Sequence, residues 1–311
     1  MAAEYAKPDL APRKNVEIPS EEIMGMGHLA CPGCGCMVAL RWALQILGRE
    51  VYIAAPACCL AVCDGPFPYS SSGVPFLHCA FETAAISASG IRAGLDMLGK
   101  TDATVVAWAG DGGTFDIGLQ AISGAAERND DILYVCYDNE AYMNTGVQRS
   151  SATPLLTWTT TTPTQAPKDQ PKKNLGEIMA AHRIPYFATA SLAHYDDFRR
   201  KFERAKATRG FRMIHIFSPC PTGWRANENT AIELCRLAVE TRIFPLYEVE
   251  DGTNYIVNMR PEPKPIGEYL DYQKRFRHLD DAAIARLQQG VNREWERILM
   301  KERMTLPSVD R

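Results

Sequence analysis

The chain has 311 residues, of which 46% are hydrophobic and 23% are charged, and its formal net charge is -3. This composition excludes an extensively disordered protein, and the negative charge argues against a nucleic-acid binder that relies on a basic surface. No apolar run reaches the roughly 18 residues that a membrane-spanning helix requires, so no membrane association is expected.

The first residues, from Met1 to Pro19, are mixed and charged and lack the apolar core of a signal peptide. The sequence therefore predicts a cytoplasmic protein. Ten cysteines are many for such a reducing compartment, where structural disulfides are disfavoured. Six of them crowd together near the start of the chain: Cys31, Cys34, Cys36, Cys58, Cys59 and Cys63. This clustering favours a metal or iron–sulfur site, whereas isolated buried cysteines behave as small apolar side chains.

Hydrophobic periodicity predicts regular alternation of helices and strands. In chain order the predicted elements are a helix over 33–47, a strand over 51–55, a helix over 80–98, a strand over 104–109, a helix over 115–127, a strand over 132–137, a helix over 175–182, a strand over 187–190, a helix over 195–208 and a strand over 211–217. Such alternation is typical of a mostly parallel sheet with helices on both faces, so the predicted fold class is α/β.

Two segments depart from this alternation. The polar loop from Glu140 to Asn174 is too long for a simple connection, and we expect it to be functional. From Arg260 the chain becomes proline-rich and then amphipathic and charged. We therefore predict an α/β domain over 1–259 and, over 260–311, an extended arm with helices that contacts another subunit.

A carboxylate on a glycine turn follows the predicted strand over 104–109. The turn reads Gly110, Asp111, Gly112 and Gly113, and Asn139 follows the next strand. Ligands of open α/β sheets bind at the carboxyl ends of strands, and glycines allow close approach of phosphate oxygens. Carboxylate and amide oxygens suit Mg²⁺, so the pattern predicts a magnesium–diphosphate site. The alternative interpretation is a glycine turn with an Asx cap.

Four cysteines are candidates for a second cofactor. Cys31 and Cys34 are separated by two residues at the start of a predicted helix, which places two thiolates on one turn. Cys59 follows the first strand and Cys220 follows the strand over 211–217, so both are expected at strand carboxyl ends. Spacing alone does not separate a [4Fe-4S] cluster from a Cys₄ zinc site, and both remain open.

These motifs together resemble a known family. The glycine turn with Asp111, followed by Asn139, resembles the thiamine-diphosphate motif. Segments along nearly the whole chain are similar to the β subunit of pyruvate-type 2-oxoacid:ferredoxin oxidoreductases: 28–35, 81–85, 110–118, 144–148 and 266–270. The resemblance implies a thiamine-diphosphate-binding fold. It implies that Asp111, Asn139 and the carbonyl of Ala141 hold Mg²⁺, and that Asn144 lies by the thiazolium and the substrate.

The resemblance also implies an activity and partners. Cys31, Cys34, Cys59 and Cys220 would hold one [4Fe-4S] cluster, and its electrons would pass to ferredoxin. The substrate would be a small 2-oxoacid of the pyruvate or oxalate type, with or without CoA. A ferredoxin-like subunit and a pyrimidine-domain subunit are implied, the latter supplying the carboxylate that the aminopyrimidine ring needs. The isolated chain is therefore expected to be inactive.

Departures from the family pattern leave alternatives. The family usually reads Ala-Thr-Gly-Cys where this chain has Pro56-Ala-Cys-Cys59, so Cys58 is an alternative ligand to Cys59. It often reads His-Asn-Ala-Phe where this chain has His78-Cys-Ala-Phe81, which keeps the choice of 2-oxoacid open. Rival functions are a non-redox thiamine decarboxylase subunit with structural zinc and a non-catalytic iron–sulfur protein.

One further motif is discounted. The residues from Gly94 to Thr101 match the phosphate-loop pattern letter for letter. That motif must follow a strand and open a helix, whereas here it follows a predicted helix and precedes a strand. We interpret it as a glycine-capped helix end.

Overall fold

The computed structural model describes residues 21–305, so the prediction that Met1 to Pro19 form no signal peptide concerns residues outside the described part. Within them, one sheet contains the strands β1 Val51–Pro56, β2 Phe76–Cys79, β3 Thr104–Gly110, β4 Leu133–Asp138, β5 Tyr186–Ser191, β6 Arg212–Phe217, β7 Tyr247–Glu250 and β8 Asn254–Val257. The strand order is β2-β1-β3-β4-β6-β5-β7-β8. Every neighbouring pair from β2 to β5 in this order is parallel, whereas the pairs β5–β7 and β7–β8 are antiparallel. The predicted mostly parallel sheet is confirmed.

Helices cover both faces of the sheet. They are α1 Gly35–Leu47, α2 Cys59–Cys63, α3 Ala84–Met97, α4 Leu119–Glu127, α5 Leu175–Ala181, α6 Tyr195–Ala207, α7 Pro221–Trp224, α8 Ala231–Glu240, α9 Gly267–Leu270 and α10 Asp281–Thr305. Alternate residues of β3 enter two separate apolar cores: Val106 and Trp108 pack with α1, α6 and α8, whereas Val105 and Ala107 pack with α3, α4 and α5. A strand that is buried on both sides needs apolar residues throughout, as β3 has.

The main differences from the predicted elements are local. The predicted helix over 115–127 is divided into a π-type turn at Gly112–Asp116 and α4. Gly118 stands between the two, where a Cβ atom would lie 2.0 Å from the carbonyl oxygen of Gly113. The short strands β2, β7 and β8 were not predicted, because a run of four residues carries little periodic signal. The discounted phosphate-loop match is indeed a helix end, with Gly99 at φ +71° after α3.

The carboxyl-terminal segment returns to the sheet. Trp295 and Ile298 of α10 are buried, and Glu302 accepts a 2.8 Å hydrogen bond from the backbone N–H of Val257 in β8. The helix thereby covers the edge strand and satisfies one of its free donors. Within residues 21–305, no helix combines the length and apolar character needed to cross a membrane. The predicted subunit contact of this segment remains a prediction.

Candidate functional site

The carboxyl ends of β1, β3, β4 and β6 meet at one edge of the sheet, because these strands are adjacent and parallel. A cavity of about 520 Å³ opens there. Many of the predicted site residues line it: Gly110, Asp111, Gly112, Gly113, Asn139, Ala141, Asn144 and Cys59. Cys58, the alternative ligand, also lines it, whereas Cys31, Cys34 and Cys220 lie outside its lining.

Asp111 is a buried carboxylate held by a residue that sequence reasoning missed. Its side chain is 1% exposed, and Ser150 Oγ donates a 2.5 Å hydrogen bond to Asp111 Oδ2. Burial, reinforced by the carboxylate of Asp138, raises the pKa of Asp111 well above its usual range. Because burial disfavours its ionised form, a carboxylate in this environment is stabilised by a bound cation. The only sequence signal for Ser150 is its place in the long loop that was predicted to be functional.

Three groups that were predicted to bind Mg²⁺ converge on one point. One end of the Asn139 amide lies 3.0 Å from Asp111 Oδ1 and 2.9 Å from the carbonyl oxygen of Ala141. When that end is the oxygen, three acceptors face one another with no donor between them, and Asn139 Nδ2 lies 3.8 Å from Cys59 Sγ and donates to it. When it is the nitrogen, the amide donates to both oxygens instead. The first orientation needs a cation and the second does not.

The glycine turn is shaped by a close aromatic neighbour. A Cβ atom on Gly112 would lie 2.3 Å from the ring of Tyr142. The Tyr142 hydroxyl donates a 2.6 Å hydrogen bond to Asp116 Oδ2, which fixes the ring against the turn. Gly112 therefore allows Tyr142 to form one wall of the cavity, a role that glycine spacing alone did not predict.

Cys59 connects the two groups of predicted residues. Its thiol donates to Asn144 Oδ1 at 3.5 Å, and the same sulfur lies 3.8 Å from Asn139 Nδ2. The neighbouring Cys58 thiol instead forms a hydrogen bond with the Tyr137 side chain. Of the two adjacent cysteines, Cys59 is the one that contacts the predicted magnesium ligand and Asn144.

The remaining predicted cysteines lie near Cys59 but not in coordinating positions. Burial raises the pKa of Cys59 to about 12 and that of Cys220 to about 11, with further contributions from Cys34 to both and from Cys31 to Cys220. A hydrogen bond with the Cys63 thiol lowers the pKa of Cys34 to about 6. Within residues 21–305, no three His, Cys, Asp or Glu side chains form a group that could hold a metal ion.

Comparison with known proteins identifies relatives along most of the chain. Residues 66–216 match the family model described as thiamine pyrophosphate enzyme, C-terminal TPP binding domain. Ketoisovalerate oxidoreductase subunit VorB of Pyrococcus horikoshii is 48% identical over 297 residues, which cover 92% of this chain and 95% of that protein. Pyruvate synthase subunit PorB of Methanothermobacter thermautotrophicus is 50% identical over 281 residues, covering 89% of this chain and 97% of that protein.

A solved structure shares the fold. The 2-oxoglutarate:ferredoxin oxidoreductase from Magnetococcus marinus, solved with 2-oxoglutarate, coenzyme A and succinyl-CoA bound, superposes with a TM-score of 0.57 at 22% identity. The match covers 71% of this chain and 80% of that chain. At this identity the likeness concerns the fold alone.

Proposed function

Because this chain belongs to the thiamine-diphosphate-binding subunits of the pyruvate-type 2-oxoacid:ferredoxin oxidoreductase family, an enzyme family that acts as multi-subunit complexes, we propose the following assignment. The chain binds Mg²⁺, the diphosphate of thiamine and one [4Fe-4S] cluster at a single sheet edge. Its complex decarboxylates a small 2-oxoacid of the pyruvate or oxalate type oxidatively, with or without CoA, and reduces ferredoxin.

The convergence of the Asn139 amide on Asp111 and Ala141 is the observation that carries the magnesium site, which uses the orientation with the amide oxygen turned toward them. Neighbouring ligands of an octahedral Mg²⁺, with bonds of about 2.0–2.1 Å, are separated by about 2.9 Å. The end of the Asn139 amide lies 3.0 Å from Asp111 Oδ1 and 2.9 Å from the Ala141 carbonyl oxygen, which matches that spacing. A cation between them would also neutralise the buried carboxylate of Asp111. The residues therefore fit the ion.

Four cysteine thiolates are the usual ligands of a [4Fe-4S] cluster, so the residue types present suit one. Four free thiols are available: Cys31, Cys34, Cys59 and Cys220. Cys34 contributes to the raised pKa of both Cys59 and Cys220, and Cys31 contributes to that of Cys220. Cys220 Sγ also accepts a 3.3 Å hydrogen bond from the backbone N–H of Gly223, the kind of bond that tunes a cluster sulfur. The four thiols would have to close around the cluster. The runner-up, a structural zinc with non-redox decarboxylation, uses the same four ligands.

The chain's own contribution to the reaction is position. Thiamine, when bound, supplies a nucleophilic carbon and an electron sink for the decarboxylation. Asp111, Asn139 and Ala141 would hold the metal that fixes the diphosphate, and Asn144 would face the reacting carbon. Since Cys59 contacts both Asn139 and Asn144, a cluster at Cys59 would directly adjoin the thiamine site. This adjacency supports one-electron outflow from the site.

The side chains that line the cavity support a partner subunit with a pyrimidine domain, because they lack a spare carboxylate for the aminopyrimidine ring. Asp111 is the only carboxylate among the described residues that line the cavity, and it would already be committed to Mg²⁺. The carboxylate that the aminopyrimidine needs must then come from another chain.

A second cavity supports an acidic electron acceptor. It has a volume of about 690 Å³ and is lined by Pro221, directly after Cys220, by three cationic residues and by one acidic residue, Asp271; the cations are Arg225, Lys274 and Arg277. In the described part of the chain none of the three cations forms an ion pair with a carboxylate, and Arg225 stacks over the Trp158 ring at 3.7 Å. The excess of positive charge beside a proposed cluster ligand would attract an acidic ferredoxin or ferredoxin-like subunit.

The proposal is tested on the complex purified anaerobically with its partner subunits. We expect about four iron and four sulfide ions per chain from this site alone, together with thiamine diphosphate, Mg²⁺ and 2-oxoacid-dependent reduction of a low-potential acceptor. Pyruvate, oxalate, glyoxylate and branched 2-oxoacids compared in one panel would identify the substrate. One zinc per chain in place of these four iron ions would establish the runner-up, and turnover by the isolated chain would refute the need for a partner.

A further inference from the structure

The turn between β4 and the long loop has an unusual backbone. It contains Asp138, Asn139, Glu140 and Ala141, and so carries two of the three proposed magnesium ligands. Glu140 adopts φ +66°, a left-handed conformation that glycine normally occupies, and its side chain is only 3% exposed. A strained, buried glutamate at this position must be held by its surroundings.

Two cations hold the carboxylates of this turn. Glu140 accepts a 2.5 Å bond from Arg275 Nη2 and a 3.0 Å bond from Lys172 Nζ. Lys172 also lies 2.5 Å from Asp138 Oδ2, which receives a second bond of 2.8 Å from His215 Nε2. Burial opposes ionisation of Asp138, but Lys172 and His215 together hold its pKa at about 2. The two carboxylates and two cations therefore balance in charge.

Arg275 connects this network to the segment after Cys220. Its guanidinium lies 3.9 Å from the centre of the Trp224 ring, and Trp224 Nε1 donates a 2.7 Å hydrogen bond to the backbone carbonyl of Asn139. Arg275 is 2% exposed and Trp224 is fully buried. Arg275 therefore contacts the turn directly through the Glu140 side chain and, through Trp224, contacts the backbone of Asn139.

We infer that Arg275 is a positioning residue for the magnesium site, acting through Glu140 and Trp224 from a segment that the sequence assigned to a carboxyl-terminal arm. The inference rests on the magnesium–diphosphate site proposed above. Its physical basis is that a guanidinium can bind a carboxylate and stack on an indole at the same time, which an ammonium group cannot reproduce. Without that double contact, Asn139 and Ala141 lose the support that aims their oxygens at Asp111.

The test compares Arg275→Lys with Arg286→Lys in the assembled complex. Arg286 is an exposed residue of α10 to which neither proposed site assigns a role. We expect Arg275→Lys to weaken the apparent affinity for Mg²⁺, titrated calorimetrically at fixed thiamine diphosphate, by about tenfold or more. We expect Arg286→Lys to leave it unchanged. At saturating Mg²⁺ the turnover of Arg275→Lys should return close to that of the wild type.

Further variants separate positioning from general destabilisation. Trp224→Phe, which removes the indole donor, should weaken Mg²⁺ binding in the same direction. Glu140→Gln combined with Arg275→Lys should weaken it by less than the product of the single effects, because both changes break one contact. Equal Mg²⁺ affinities for the two arginine variants, or multiplicative effects in the pair, would overturn the inference. A wild-type complex that binds no Mg²⁺ would instead refute the proposed function itself.

Discussion

Removal of the Ser150 hydroxyl tests the buried carboxylate on which the proposed metal site depends. In Ser150→Ala the 2.5 Å hydrogen bond to Asp111 Oδ2 is lost, and its acceptor is a carboxylate, 1% exposed, that is charged when Mg²⁺ is bound. A hydrogen bond to a charged group contributes about 1.5–3 kcal/mol. Because about 1.4 kcal/mol corresponds to tenfold in an equilibrium constant, we expect Mg²⁺ affinity to fall by about ten- to a hundredfold.

Ser151→Ala is the matched control for this experiment. It removes a hydroxyl one residue further along, where backbone atoms make the hydrogen bonds: the Ser151 N–H donates to Asp116 at 3.1 Å and the Ser151 carbonyl accepts from the N–H of Lys173 at 3.0 Å. Mg²⁺ titration of the anaerobic complex, followed by calorimetry and by activity, measures both variants. If Ser150→Ala binds Mg²⁺ as tightly as Ser151→Ala, the hydroxyl does not support the ligand and the reasoning is wrong.

Three further outcomes are expected. Since the pKa of Asp111 is raised, the metal-free folded chain binds more protons than the unfolded chain at pH values above the ordinary aspartate pKa, and its stability falls as the pH rises through that range. Mg²⁺ binding should therefore release a proton and become tighter as the pH rises. Calorimetry in buffers of different ionisation enthalpy that detects no proton release would contradict this. Gly112→Ala should destabilise the chain by about 1–3 kcal/mol in denaturant unfolding, because its Cβ would lie 2.3 Å from Tyr142, and a Tyr142→Ala background should relieve most of that cost. Cys59→Ser should lower the iron content of the complex by about four ions per chain while Cys58→Ser leaves it unchanged, and the opposite result would transfer the ligand role to Cys58.

Much of this protein could be predicted from local patterns. The parallel core strands followed from short apolar runs, and the turn of Asp111 and the position of Asn139 followed from where those runs end. Parallel strands bring their carboxyl ends to one edge, so residues distant in sequence meet there without further information. The resemblance to the oxidoreductase family, carried by the same motifs, is confirmed by relatives that cover most of the chain.

The supporting residues could not be predicted in the same way. Ser150 and Lys172 lie in a loop with no periodicity, and Arg275 lies more than a hundred residues from the turn it holds. Such contacts depend on how loops fold over the sheet edge, and single side chains leave no pattern in a sequence.

By itself, then, the sequence determined five strands of the sheet, the edge at which the candidate site residues meet, and the family. Only the tertiary structure decided that Cys59 touches both Asn139 and Asn144, and that Arg275 reaches the turn of Asn139 and Glu140 from the carboxyl-terminal segment. The physical reason is that periodicity records which face of an element is buried. Burying a charge such as Asp111 or Glu140, in contrast, requires partners that the folded chain alone brings together.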